Sequence, residues 1–272
     1  MGVVYKAQDL KLDRLVALKF LPHHLTANEE NKRRFVHEAK AASTLDHPNI
    51  CTFYELGETD QGQLFIAMAY YEGETVKDKI KDRPLPLNDA IDIAISIAQG
   101  LAKAHEKGIT HRDIKSDNVM VTADSGVKIM DFGLASITGA STLTKTGATV
   151  GTVPYMSPEQ ARGEKVDHRS DIWSLGAVIY EMVTGQLPFK SQYNDAIVYS
   201  ILNQIPPALT SLRSDVPMEL ERIVKKAMAK EPAERYQHAD EITTDLKSLR
   251  KESKVETTRE KQAPTQQKKR QL

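Results

Sequence analysis

Between Asp171 and Thr184 the sequence is apolar on nearly every side, with Ile172, Trp173, Leu175, Val178, Ile179 and Met182 leaving no polar stripe for solvent. A helix of that kind is stable only when other elements surround it, so the second half of the chain has to build a bundle around this segment. The neighbouring patterns agree. Asn88 to Glu106 carries Ile91, Ile95, Ala98, Leu101 and Ala102 at helical spacing, with Asn88 as the expected N-cap and Gly108 closing the helix. Pro217 to Ala229 and His238 to Leu249 read as further amphipathic helices.

The first part of the chain has a different character. Val16 to Phe20 is a short apolar run, and Gln63 to Met68 is another, entered through the turn Asp60-Gln61-Gly62; both read as strands. Asn28 to Leu45, between them, is helical in period, with Phe35, Ala39, Ala42 and Leu45 on one face, and His47-Pro48-Asn49 forbids its continuation. After Glu72-Gly73-Glu74 helices take over. They are interrupted by a hairpin through Val119-Met120-Val121, the turn Asp124-Ser125-Gly126, and Val127 to Met130. The expected fold class is α+β: a small antiparallel-sheet lobe over residues 1–71 and a larger, mainly helical lobe over 72–250. Residues 251–272 are Lys, Gln, Thr and Glu with almost nothing apolar, and are expected to form a disordered basic tail.

Lys plus Arg equals Asp plus Glu, 37 of each, so net charge makes no case for a polyanion, and no nucleic-acid partner is expected. The single cysteine, Cys51, has no partner for an internal disulfide, which suits a reducing compartment; a buried, inert thiol is its expected role. No stretch approaches the roughly 18 apolar residues of a membrane span, and Met1 to Lys6 lacks the regions of a signal peptide. A soluble, cytoplasmic chain is the expectation.

The chemistry concentrates in the run His111-Arg112-Asp113-Ile114-Lys115-Ser116-Asp117-Asn118, an irregular loop between a helix and a hairpin. Asp113 and Asn118 can point from it into one cavity. Asp131 ends the second strand of that hairpin and is followed by Phe132-Gly133, where glycine permits a sharp turn. An Asp and an Asn offer hard oxygen ligands suited to Mg²⁺ and poor for zinc, and no His/Cys cluster competes. Each short triplet alone is a common turn; their order and spacing together are not.

Those residues resemble the signature set of eukaryotic-type protein kinases, over a match that runs from Gly2 to about Leu249. The resemblance implies a bilobal protein-kinase-like fold and transfer of the ATP γ-phosphate to Ser/Thr hydroxyls of protein substrates. Within Val16-Ala17-Leu18-Lys19, Lys19 would grip the nucleotide phosphates, with Glu38 as its ion-pair partner. A solvated lysine and a helix-surface glutamate are the plainer alternatives. Asp113 would take the hydroxyl proton and Lys115 would neutralise the transferred group. Asn118 and Asp131 would bind Mg²⁺, or Mn²⁺ in its place. Met68, the backbones of Ala69 and Tyr71, and the side chains of Val4, Ala17 and Met120 would surround the adenine. Lys115, together with Gly151-Thr152 ahead of Pro154 to Glu159, implies the serine/threonine class, with Thr152 touching Asp113 and Lys115. Ser116 stands where the family usually has proline, and Ser157 where it usually has alanine. Glu159 and Arg235 are the expected buried ion pair, and Asp171 the expected anchor of the catalytic loop.

Arg112 directly precedes Asp113, so a phosphate on the segment after Asp131 could dock there and order it. Thr144-Lys145-Thr146 resembles the doubly phosphorylated loop of bacterial PknB-type receptor kinases. That implies autophosphorylation at Thr144 and Thr146 between self-associating copies; incidental threonines on a polar loop are the alternative. The basic end Gln267 to Arg270 resembles a juxtamembrane segment of that branch, with membrane contact only through a downstream segment, or else is a solvated tail. Gly2 aligns with the last glycine of the G-x-G-x-x-G-x-V loop and Val4 with its valine, so the earlier glycines and their strand are not in the sequence. A fragment of an active kinase, a short weak kinase and a pseudokinase-like binding module are the three readings. ATP affinity below that of a complete relative is the expectation.

Overall fold

In the computed structural model the described residues are 3–21, 29–132 and 152–262, with backbone alone at 31 and 253–262. The first lobe is a four-stranded antiparallel sheet in the order β1-β2-β4-β3, from β1 (Val4–Asp9), β2 (Arg14–Phe20), β3 (Phe53–Glu58) and β4 (Leu64–Ala69). Asp9 closes the β1–β2 turn by accepting the backbone N–H groups of Lys11 (3.0 Å) and Leu12 (3.3 Å), the local trick by which Asp favours turns. Across the sheet, Val4 lies opposite Lys19 and Ala17 opposite Met68. Directly opposed residues share a face, so these four point to one side.

Helix α1 (Glu29–Ala42) buries the face its period predicts: Phe35, Ala39 and Ala42 are all buried, with Leu45 just beyond. Phe35 packs with Leu64, Ile66 and Met68 in a small core, whereas Ala42 and Leu45 join the large core of the second lobe. The helix therefore spans both cores.

The second lobe begins with a three-stranded sheet, β5 (Gly73–Thr75), β6 (Val119–Thr122) and β7 (Val127–Ile129). Its helices are α2 (Val76–Lys79), α3 (Leu87–Glu106), α4 (Pro158–Arg162), α5 (Arg169–Thr184), α6 (Asn194–Asn203), α7 (Leu209–Leu212), α8 (Met218–Ala227) and α9 (Ala239–Gln262). As its sequence demands, α5 is central, with every residue from Ser170 to Thr184 buried. Its Gly176 is a close-approach point: a Cβ there would lie 2.7 Å from the Met228 side chain and 3.0 Å from Ala227. Side chains larger than hydrogen would push α8 away.

Two expectations are corrected. Helix α3 starts at Leu87 and takes Pro86, not Asn88, as its N-cap, without a side-chain cap. Proline's fixed φ pre-sets the entry, and Asn88 lies inside the first turn. The segment from Lys251, expected to be disordered, continues α9 as helix to Gln262. Lys, Glu, Gln and Arg are good helix formers, and extending an existing helix avoids the cost of nucleating one. Among the described residues no helix is long and apolar enough to cross a membrane.

Candidate active site

The site is assembled around one buried carboxylate at the start of α5. Asp171, fully inaccessible to solvent, accepts the backbone N–H of His111 (2.8 Å) and of Arg112 (2.7 Å), and bonds His105 Nε2 at 2.8 Å. Burial pushes its pKa up, but His105 and His111 outweigh this and hold it below the ordinary carboxylate value. Arg112 has φ of 66°, a strained left-handed conformation for a non-glycine residue. The bonds that hold it there are the Asp171 contact and the Arg112 carbonyl, which accepts Gln160 Nε2 at 2.9 Å. Ser157 and Gln160 form a reciprocal cap at the start of α4, which fixes Gln160 for that task. His111 Nδ1 accepts the Asp113 N–H (3.2 Å), so its Nε2 carries the proton and donates to Met130 O at 2.8 Å. Its ring meets Phe132 edge-on at 4.6 Å between centroids.

This scaffold presents Asp113. Lys115 Nζ donates to both Asp113 oxygens, at 3.1 and 2.8 Å, and to Thr152 Oγ1 at 2.8 Å. Asn118 Nδ2 donates to the Asp113 carbonyl (2.8 Å) and to Asp113 Oδ2 (3.0 Å). Lys115 is almost fully buried while the Asp113 side chain is 23% exposed, so the carboxylate is the part of the cluster that a solute can reach. Loop spacing placed Asp113 and Asn118 in one cavity and the family resemblance added Lys115 and Thr152; the structure brings the four together.

Lys19 and Glu38 are where the structure departs from expectation. Lys19 Nζ pairs with Asp131 Oδ2 at 2.6 Å rather than with Glu38. Asp131, at φ 62°, turns its carboxylate toward β2 and offers the nearer anion. Glu38 is half-buried, and that desolvation pushes its carboxyl up to about 7; the cations that pull the other way are Arg112 and then Arg34. Arg112 thus lies within electrostatic reach of α1, a coupling that sequence spacing does not reveal.

Three of the side chains expected around a nucleotide base share one face with Lys19. Val4, Ala17, Lys19 and Met68 share one side of the first sheet. Ala69 donates its N–H to Thr52 O at 2.9 Å, and the Tyr71 ring carries Lys128 Nζ at 4.9 Å. Met120 is half-buried on β6 opposite Lys128. Behind Met68, a small cavity of about 30 Å³ is bordered by Lys19, Cys51, Phe53 and Asp131. Burial pushes the Cys51 thiol up to about 12, consistent with an unreactive group. Gly2, Gly133, Thr144 and Thr146 lie outside the described residues.

The donor set fits Mg²⁺. Both hydrogen bonds of the Asn118 amide run through Nδ2, leaving Oδ1 as a hard oxygen donor alongside Asp131. Among the described residues no group of three or more His, Cys, Asp or Glu could hold a metal. A two-ligand arrangement is the usual one for Mg²⁺ held jointly with phosphates and water.

Glu159 and Arg235 form the expected buried pair, at 2.8 and 2.7 Å, with Ser170 Oγ donating to Glu159 Oε1 at 2.5 Å. His105, Gln160 and the Ser116–Tyr155 contact were not singled out by sequence reasoning. A helix histidine six residues before His111 is the one signal that points to His105.

The sequence matches the protein kinase domain family over residues 1–246. It is 43% identical over 253 residues to the serine/threonine-protein kinase PknB of Mycolicibacterium smegmatis, covering 90% of this chain and 40% of that protein. It is 40% identical over 249 residues to the serine/threonine-protein kinase PrkC of Bacillus subtilis, covering 91% of this chain and 38% of that protein. The chain therefore spans less than half the length of these curated relatives. In structure it is similar to the PknI kinase domain of Mycobacterium tuberculosis, with a TM-score of 0.73 at 30% identity, over 91% of this chain and 90% of that one. The chain therefore belongs to the protein kinase domain family, with bacterial serine/threonine-protein kinases among its relatives.

Proposed function

We propose that the protein transfers the terminal phosphoryl group of ATP to serine and threonine hydroxyls of proteins. The observation that carries this reading is Lys115 Nζ, bonded at once to the Asp113 carboxylate and to the Thr152 hydroxyl. In this reading Asp113 orients the incoming hydroxyl and accepts its proton as the new O–P bond forms and the bond to the ADP oxygen breaks. Lys115 offsets negative charge beside the reacting oxygen, and Thr152 holds the Lys115 ammonium in place. Lys19 places the phosphates, for which its ammonium has to leave Asp131. Asn118 and Asp131 would hold Mg²⁺, which neutralises phosphate charge when bound. Val4, Ala17, Met68, Ala69, Tyr71 and Met120 accommodate the base.

Arg112 is the proposed docking point for phosphate on the segment that carries Thr144 and Thr146, modified by one copy acting on another. The test is product analysis. After incubation with Mg²⁺ and ATP, mass spectrometry is expected to find phosphoserine and phosphothreonine on a generic protein substrate and phosphate on Thr144 and Thr146 of the protein itself. Phosphotyrosine as the main product would overturn the substrate class. Unmodified Thr144 and Thr146 in active protein would overturn the autophosphorylation reading.

A further inference from the structure

Ser116 and Lys77 belong to a buried hydrogen-bond chain that the reaction scheme above does not use. Ser116, wholly buried, lies next to Lys115 in sequence, and its Oγ is 2.8 Å from Tyr155 OH. The Tyr155 hydroxyl donates to Glu181 Oε2 at 2.5 Å on α5. Lys77 Nζ, on α2, donates to the other oxygen of that carboxylate, Oε1, at 2.9 Å. Proton directions follow from chemistry. Tyr155 has one proton and gives it to the carboxylate, so the Ser116 hydroxyl is the donor to the tyrosine oxygen. Burial, then the nearby Glu181 carboxylate, push the Tyr155 phenol well above its ordinary value, so it keeps that proton.

The ends of the chain are informative. Ser116 begins the short 3-10 turn Ser116–Asn118 of the catalytic loop, and Tyr155 ends the turn Val153–Tyr155 that directly follows Thr152. The Ser116–Tyr155 bond therefore joins the same two segments as the Lys115–Thr152 bond. Ser174 Oγ, also from α5, holds the Tyr155 carbonyl at 2.9 Å, so the tyrosine is fixed at both backbone and ring. At the far end, the Lys77 side chain is 46% exposed while Glu181 is 3% exposed, so the chain runs from solvent to the residue beside Lys115. A proline at position 116 would have no hydroxyl to contribute.

Resting on the kinase reading, we propose that the chain Ser116–Tyr155–Glu181–Lys77 sets the separation of the catalytic loop from the Thr152 segment, which makes Ser116 and Lys77 positioning residues for phosphoryl transfer. Lys77 holds Glu181 through Oε1 while Oε2 accepts the Tyr155 hydroxyl, so the carboxylate is fixed from both sides. Ser116 converts the fixed tyrosine into a second tie beside the Lys115–Thr152 contact.

A double-mutant cycle on the full chain tests this, with Ser116→Ala, Tyr155→Phe and the double variant. Each single change is expected to lower kcat about 3- to 10-fold, with KM for ATP unmoved, because one neutral hydrogen bond of positioning is at stake. The double variant is expected to match Tyr155→Phe alone. Lys77→Met is expected to lower kcat by a similar factor, and Lys77→Arg, which keeps a cationic donor for Glu181, to restore it. Independent effects that multiply, or wild-type kcat in Ser116→Ala, would overturn the proposal. Amide exchange gives a readout independent of turnover. In Ser116→Ala the amides of Tyr155 and Met156, which close the turn onto Thr152 and Val153, are expected to exchange faster, with those of α5 unchanged. A wild-type protein with no transfer at all would contradict the kinase reading, and exchange would then decide the link: faster at Tyr155 and Met156 upholds it, unchanged overturns it.

Discussion

Arg235→Met is expected to lower the unfolding free energy by about 3–5 kcal/mol and the thermal midpoint by roughly 10 °C, measurable by calorimetry. The guanidinium is buried and spends its donors fully. It forks onto both Glu159 oxygens, and also reaches the carbonyls of Ala229 (2.8 Å), Arg169 (3.0 Å) and Lys230 (3.0 Å). Methionine fills much of the space and leaves a buried carboxylate with Ser170 as its remaining side-chain donor. The pH dependence gives a second signature. In the native protein, burial raises the Glu159 pKa, but Arg235 more than compensates and holds it below 4.5. A carboxylate lowered by folding contributes stability that is present above its unfolded pKa and is lost as pH falls through the folded value. In Arg235→Met the desolvated Glu159 is instead raised and takes up a proton readily. The deficit of the variant is therefore expected to be largest near neutrality and to shrink on acidification below about pH 5. A deficit that grows in acid would show that the pair does not govern stability here.

Much of this architecture is legible from local pattern. The all-round apolar segment of α5 forces a central helix, and the Phe35 face of α1 follows from its period. The approach of Asp113 and Asn118 follows from five residues of loop between a helix and a hairpin, while the role of Lys115 came with the resemblance. Resemblance rather than spacing supplied the Glu159–Arg235 and Asp171 roles, since partners separated by about 60 or more residues leave no local trace. Four features were not legible. The choice of Lys19 for Asp131 over Glu38 depends on how α1 is set relative to β2, which is decided by packing between two cores. The start of α3 went to Pro86 because proline geometry outweighs the capping preference of Asn88. The helical extension to Gln262 reflects the low cost of continuing a helix, against a composition that lacks apolar residues. The Ser116 hydroxyl belongs with them: in sequence it is a mild departure from proline, and only the position of Tyr155 gives it a partner.

The lysine–aspartate pair also has a consequence for mechanism. Lys19 and Asp131 pair at 2.6 Å, and in the proposed reaction both would be needed elsewhere, one on phosphate and one on metal. Substrate binding must therefore exchange that contact for two new ones, which places part of the binding free energy in rearranging the site.

Asp113→Asn isolates the catalytic claim, because the change is isosteric and keeps an oxygen acceptor for Lys115, whose ammonium stays bonded to Thr152. What it removes is the base. General-base assistance is worth about 10²- to 10⁴-fold in rate, so kcat is expected to fall by that factor while the thermal midpoint stays close to that of the native protein. The direct measurement is transfer of the labelled ATP γ-phosphate to a generic protein substrate by the native chain and by Asp113→Asn, side by side. Strong transfer by the native chain and a loss of at least 10²-fold in the variant is the predicted result. Equal transfer from the two proteins would contradict it.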